Sequence, residues 1–478
     1  MSEISQIRIF DYLHQSTYSL KSDSNFFVHR SVFKYLGRYY PNKFHFYTTY
    51  DESLENTETM RKIQKQFPFV TPVPIKYYST NAIFRNALDW KSLSANAPDV
   101  DIIWNNTPEI NFELLSFFVS KGCYCPLISY SHWYAPLVDP PIYANYLKKQ
   151  DEKYCVDIKY FFNYILAYKN YNNSKWGTDS IKKGYEVVPD LGWRDKVLNK
   201  IHPLYLTVDH EEIDQFKPVE IKKDVPIIVF NNRHNEYTGF TFFMNAVKKM
   251  IEIRPGLKFK IFMTAVGEND RSAKFEIPEE YFINKESLPF PKYIEQLWKC
   301  DIEIGAHTGD NQWSMSFLDG MFANLIPFYR RGVFFDEMFE GLDINEQYGF
   351  RTEDEFISKL IFMLENIQHF RDANKNIFEH FRKNWTWDVL IHEWAKMFQD
   401  AYDQQRITET EKIFNVDLSQ FPMPWADVKQ AMNISDQRNT TSYRKTLKEA
   451  LPIKEDMNRP DIVFYRNDQN IKRQEKWF

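Results

Sequence analysis

Residues 301–332 read DIEIGAHTGDNQWSMSFLDGMFANLIPFYRRG. A short apolar run, DIEIG, gives way to a polar loop and then to SMSFLDGMFANL, which has the length and apolar content of a helix. A second apolar run, IPFYR, follows at once. Strand, helix and strand in this order make a crossover unit, and such a unit lays its two strands parallel.

Working outward, the same rhythm continues on both sides. Upstream lie PIIVFNNR (226–233), the helical GFTFFMNAVKKMIEIRP (239–255), the strand-like LKFKIFMT (257–264) and the helical FPKYIEQLWKC (290–300). Downstream, 353–405 is helical material that ends in WTWDVLIHEWAKMFQDAY (385–402). The first 200 residues repeat the pattern. IRIFDYL (7–13) and KFHFYTTY (43–50) read as strands around NFFVHRSVFKYLGRYYP (25–41), a helix expected to stop at Gly37 and Pro41. DVDIIWNNTPE (99–109) and CPLISYSHW (125–133) read as buried strands with polar ends, and YFFNYILAYKNYNNSKWG (160–177) as a strand ending at Asn172-Asn173-Ser174 before a helix. Between the halves, 202–226 carries Pro203, Pro218 and Pro226 among many charges, as an interdomain link does. The expected class is α/β, with two Rossmann-like lobes over 1–205 and 206–405. The last helix, near 385–402, is expected to pack back on the first lobe. Residues 406–478 lose the rhythm and are expected to form a small separate domain.

Bulk properties fit this reading. A chain of 478 residues exceeds one compact core. At 43% hydrophobic and 26% charged residues it is ordinary globular material, and a net charge of −5 advertises no polyanion partner for the chain as a whole. Cys123, Cys125, Cys155 and Cys300 have neither zinc-ligand spacing nor the density of a disulfide scaffold. The opening MSEISQIRIFDYLHQ lacks the apolar centre of a signal peptide, and no run approaches 18 apolar residues. A cytoplasmic protein is expected, in the host cytoplasm if the source is viral. There is no P-loop, GxGxxG fingerprint or Ser-His-Asp signature.

Four stretches resemble GT-B glycosyltransferases of the retaining class that carry a Glu-x7-Glu motif, over roughly residues 5–402. HPLYLTVDHEEIDQFKP is similar to that family's linker, and FNNRHNEYTGFTFFMNAVKKMIEIRPGLKFKIF to the unit that opens its nucleotide lobe. YIEQLWKCDIEI resembles the helix and strand before the donor loop, and GDNQWSMSFLDGMFANLIPFYRRG the loop, helix and strand that follow. A nucleotide-sugar donor, a UDP-sugar above all, is what the resemblance implies. Its leaving group is a diphosphate, which needs positive charge and backbone N–H groups around it. Arg233 ends a strand where a guanidinium can clamp phosphate oxygens, and the helix starting near Ser314 turns its positive end the same way. Asp319, one turn in, can accept ribose hydroxyls. The expected donor set is Asn232, Arg233, His234, Gly239, Asn311, Gln312, Trp313, Ser314 and Asp319.

The chain departs from the family's pattern at three positions. Asn311 stands where the first motif glutamate belongs, Asp319 shortens the second, and Thr238 replaces the lysine that usually precedes the helix glycine. His234, Arg330 or Arg331 can complete the phosphate clamp. In the first lobe, His132 at the end of LISYSHW is the expected catalytic partner of Arg233, and Asp11, His14 or His132 itself can serve as base if the reaction inverts. No Asp-x-Asp loop calls for a metal, and no cofactor is expected.

The tail reads as helix PWADVKQAMN, turn ISDQRN, helix TTSYRKTLKEAL, and two strand-like pieces, PIKED and DIVFYRN. That order resembles a winged helix-turn-helix. Such a fold sets its second helix in the DNA major groove, so Thr440, Thr441, Ser442, Arg444, Lys445 and Lys448 would meet DNA, with Arg459 on the wing. From Arg438 to Phe478 there are ten Lys/Arg and six Asp/Glu, a net of +4 in an acidic protein. The stretch DIIWNNTPE and YSHW is also similar to phage DNA α-glucosyltransferases. Together these features imply transfer of a sugar to hydroxymethylated pyrimidines in double-stranded DNA. The other readings are transfer to a surface glycan or protein with the tail as a docking module, and a non-catalytic binding protein.

Overall fold

A computed structural model of the chain describes residues 6–15, 19–76, 90–123, 125–131, 163–186, 194–221, 224–264, 272–308 and 312–404, with 423–424, 453–456 and 459–465. Its contacts divide into two units. One comprises Met1–Asn173, Thr178–Leu204 and Ile391–Phe478, the other Ser174–Gly177 and Tyr205–Leu390.

In the first unit the described strands are β1 (Ile7–Tyr12), β2 (Phe44–Asp51), β3 (Val70–Ile75), β4 (Ile102–Asn105), β5 (Leu127–Ser131), β6 (Lys169–Asn172) and β7 (Ile201–Pro203). They form one parallel sheet in the order β3-β2-β1-β4-β5-β6-β7. Ile7, Ile9, Phe10 and Tyr12 of β1 are all buried, as a central parallel strand covered on both faces requires. Pro72 and Pro74 sit in β3, whose place at the sheet edge turns the missing N–H of alternate residues away from the ladder. The expected link beginning at His202 is in its first residues β7, the strand at the opposite edge.

Helix α1 (Ser24–Tyr39) starts where the Asp23 carboxylate accepts the N–H groups of Asn25 and Phe26. It runs two residues past Gly37 and ends at Tyr39, ahead of Pro41, the second of the two expected stops. Gly37 lies so close to the Phe69 ring that a Cβ would come within 2.8 Å of it, so packing overrides the local preference. Helix α2 (Asn111–Ser120) covers β4 and β5, and Leu114, Phe117 and Phe118 join Phe10 in one apolar cluster. Trp104 of β4 is fully buried, edge-on to Trp394 at 5.7 Å and Phe398 at 5.4 Å. Both belong to the final helix of the region, Trp387–Asp403.

The second unit holds β8 (Ile227–Phe230), β9 (Lys260–Met263), β10 (Phe282–Asn284), β11 (Ile302–Gly305), β12 (Ile326–Arg330) and β13 (Gly349–Phe350), all parallel, in the order β10-β9-β8-β11-β12-β13. Its helices include α3 (Phe240–Ile253), α4 (Phe290–Lys299) and α5 (Met315–Phe322). Strands β8, β11 and β12 are apolar and buried almost throughout, which is why they were legible as short unbroken runs.

In the tail, β15 (Ile453–Asp456) and β16 (Arg459–Tyr465) pair antiparallel, and β14 (Met423–Pro424) adds to the far side of β16. The two expected strand pieces are therefore a hairpin. The two expected helices, with Thr440, Thr441, Ser442, Arg444, Lys445 and Lys448, lie outside the described residues.

Candidate functional site

In each parallel sheet the strand order reverses once, between β1 and β4 in the first unit and between β8 and β11 in the second. Neighbouring loops part company at such a point and open a crevice outside the carboxyl ends of the strands. Several of the polar residues singled out in the sequence lie at these two edges.

At the second edge, β8 runs into Asn231, Asn232 and Arg233. The Asn231 side-chain amide donates to Tyr293 Oη and to the Ser316 carbonyl, both at 2.9 Å. Asn232 Oδ1 accepts from Ser316 Oγ at 2.5 Å. The loop is thus tied to the first turn of α5, where Ser314 caps the helix by accepting the Phe317 N–H at 3.2 Å. Arg233 is exposed at this edge.

Beyond Arg233 the chain turns into α3 through Gly239, with φ of 76°. A Cβ there would sit 2.1 Å from the Ala306 carbonyl oxygen, so the loop after β8 and the loop after β11 meet backbone to backbone. Thr308 N donates to the Tyr237 carbonyl at 3.0 Å and holds the same contact. The Thr238 hydroxyl lies 2.6 Å from the Arg233 carbonyl and 2.7 Å from that of Asn235, so it serves the loop. His234 is buried and stacks on Phe240, ring centroids 4.1 Å apart.

Asp319 accepts a hydrogen bond from Tyr293 Oη at 3.1 Å. Burial pushes its carboxyl up to about 7, against the downward pull of that bond. Glu303, in the middle of β11, is fully buried, and burial together with the nearby Asp319 charge holds its carboxyl well above the usual range. Tyr293, Asn231 and Glu303 were not foreseen as site residues. An acid inside the apolar run DIEIG was the available signal, because a strand interior tolerates one only with partners.

Not every expected donor residue reaches the edge. Trp313 is 5% exposed, donates its indole N–H to the Leu206 carbonyl at 3.0 Å and packs against Tyr205 and Trp385. It anchors the loop between β11 and α5 from below. Gln312 is buried beside it, and Asn311 lies outside the described residues. Arg331 faces Glu346 and Asp336, so its charge is compensated.

At the first edge, the His14 N–H donates to Asn106 Oδ1 at 2.9 Å across the β1/β4 switch. Asn105 Nδ2 donates to the Thr107 carbonyl and to Asn111 Oδ1, both at 2.7 Å, and shapes the turn after β4. Asp11 corrects the sequence reading. It is fully buried, 3.0 Å from His29 Nε2, and accepts the Thr48 hydroxyl at 2.9 Å. Asn25 O can only accept, so the 2.7 Å contact makes His29 Nδ1 the donor. Asp11 is therefore enclosed by His29 and Thr48 and not open at the edge. His14 is 1% exposed, and His132 lies outside the described residues.

No family model matches the chain, and no curated protein matches it. Solved structures do. A glycosyltransferase from Rickettsia africae matches with a TM-score of 0.56 at 12% identity, over 84% of this chain and 100% of that one. The fold is GT-B. Sucrose-phosphate synthase from Thermosynechococcus elongatus gives a TM-score of 0.60 at 9% identity, over 84% and 100% of the two chains. HepE from Anabaena, in complex with UDP-glucose, gives 0.55 at 10% identity, over 83% and 100%. In this GT-B chain the β8/β11 edge has the features that bind an anion: an exposed guanidinium, two helix amino termini and the Ser314 hydroxyl cap of α5. Among the described residues no helix is long and apolar enough to cross a membrane.

Proposed function

We propose that the chain is a glycosyltransferase that takes its sugar from a UDP-sugar and transfers it to hydroxymethylated pyrimidines in DNA. The observation that carries the donor half is Arg233, exposed at the β8/β11 switch point beside the capped amino terminus of α5. In the reaction the bond from the anomeric carbon to the donor's phosphate oxygen breaks, and UDP leaves with the electron pair. The acceptor oxygen bonds to that carbon and loses its proton. Arg233 and the helix N–H groups stabilise the charge growing on the diphosphate. Asp319, steadied by Tyr293, receives the ribose hydroxyls. His132, directly after β5, positions the acceptor hydroxyl. HepE, whose structure holds UDP-glucose, supports the donor class.

For the acceptor, the support is the +4 excess of the last 41 residues and the order of their elements, with Arg459 opening the second strand of a hairpin. Unmodified bases lack a suitable hydroxyl, whereas a hydroxymethyl group supplies one. The test is transfer of labelled sugar from UDP-sugars to hydroxymethylated duplex DNA. The triple variant Arg444→Glu, Lys445→Glu, Lys448→Glu should lose transfer to duplex at least tenfold while keeping hydrolysis of the donor. Equal transfer by the variant would turn the acceptor reading toward a glycan or protein.

Asp319 yields a separate expectation. Its native pKa of about 7 lies above the unfolded carboxylate range near 4, so the folded state holds an extra proton between the two. Stability from this group is present in acid and lost as pH rises toward 7. Asp319→Asn should therefore be more stable than the parent at pH 8, by about 1–2 kcal/mol, and nearly equal at pH 4. Melting curves at the two pH values check this, with weaker UDP binding as the functional cost.

A further inference from the structure

We propose that Arg330 is a second phosphate-binding cation for the donor's diphosphate, acting with the amino-terminal turn of α3. The proposal rests on the nucleotide-sugar reading above and adds a residue to it. Arg330 ends β12, next to β11 in the sheet, at the same carboxyl edge as Arg233. Its Nε donates to the Ala306 carbonyl at 3.3 Å, the oxygen that lies directly under Gly239 at the start of α3. Its guanidinium stands 4.4 Å from the Phe242 ring centroid, in the first turn of α3, and 5.5 Å from that of Phe350.

This charge is half-buried, and among the described residues no carboxylate pairs with it. Desolvation lowers its pKa, as it must for a cation with no anion to stabilise it. Aromatic faces compensate only part of that cost. Apart from Arg233, the polar neighbours are otherwise engaged. Arg331 is paired with Glu346 and Asp336, His234 stacks on Phe240, and the Thr238 hydroxyl lies on loop carbonyls.

A second feature lies in the same loop, where the His307 ring sits against Phe334 and Phe335. His307 follows Ala306, is 1% exposed, and its Nδ1 has no hydrogen-bond partner. Burial, and after it the charge of nearby Arg330, drives its pKa down to about 3 and keeps the ring neutral. A neutral imidazole can donate from Nδ1 to an anion. The amino-terminal N–H groups of a 14-residue helix contribute the same polarity. Glu236 stands at this helix start, exposed, and takes the Thr241 hydroxyl, so its carboxylate has a partner of its own.

The test compares binding of UDP, uridine and inorganic pyrophosphate to the full chain and to Arg330→Met and Arg330→Lys, by calorimetry, with melting curves as a control for folding. Methionine keeps the apolar stem over Phe242 but removes the charge. The expected result is a ten- to hundredfold loss of UDP and pyrophosphate affinity in Arg330→Met, uridine binding unchanged, and partial recovery in Arg330→Lys. Equal losses for UDP and uridine, or no loss, would overturn the proposal and leave Arg330 as a brace for the Ala306 loop. If the parent binds pyrophosphate through Arg330 but not UDP, the phosphate site stands and the nucleotide reading fails. If it binds neither, both fail.

Discussion

Replacing Arg233 by alanine is expected to slow sugar transfer by two to three orders of magnitude, about 3 kcal/mol of transition-state stabilisation, with little change in melting temperature. The separation of rate from stability follows from the position. Arg233 is exposed, and its backbone rather than its side chain holds the loop, through the carbonyl that faces the Thr238 hydroxyl. Charge on the diphosphate is greater in the transition state than in the bound donor. Loss of the guanidinium should therefore lower kcat more than it raises KM. Lysine at this position should restore part of the rate, because it returns the charge without the bidentate fork. Single-turnover measurements on the three proteins would check this ranking.

Gly239→Ala should act through the backbone instead. A Cβ at φ of 76° is strained in itself, and here it would fall 2.1 Å from the Ala306 oxygen. Neither loop can yield easily. One is fixed to α5 through Asn231 and Asn232, and the other holds Thr308 against Tyr237. The expected cost is on the order of 3–4 kcal/mol if the fold survives, read as a shift in the denaturation midpoint at constant slope. Donor binding should fall with it, since the two displaced loops carry Arg233, Ala306 and the start of α3 between them. An alanine variant that melts with the parent would show that the two loops are not locked.

Much of this was visible in the chain before any fold was known. Strands such as IIVF and IEIG are short, apolar and bounded by polar loops, so they announce buried parallel sheet and place the site at their ends. The places of Arg233 and Gly239 in the fold were legible for the same reason, since one follows a strand and the other opens a helix. What was not legible depends on partners distant in sequence. Gly37 looked like a stop until Phe69 is seen against it, and Asp11 looked like a base until His29 and Thr48 enclose it. Trp313 sits in the donor loop by sequence but is turned inward by a carbonyl 107 residues away. Tyr293 joins the Asp319 network from a neighbouring helix, a relation no local pattern encodes. The prolines of VTPVPI argue against a strand unless it lies at the sheet edge, and edge position is a property of the whole sheet.

The central claim is that the β8/β11 edge binds and activates a nucleotide-sugar. Its most direct test is nucleotide release from a panel of UDP- and GDP-sugars by the full chain, with and without hydroxymethylated duplex DNA. The expected result is UDP release from one UDP-sugar, stimulated by the modified duplex and abolished in Arg233→Ala. Absence of release from every donor, with and without DNA, would contradict it and leave a GT-B chain that binds without catalysing.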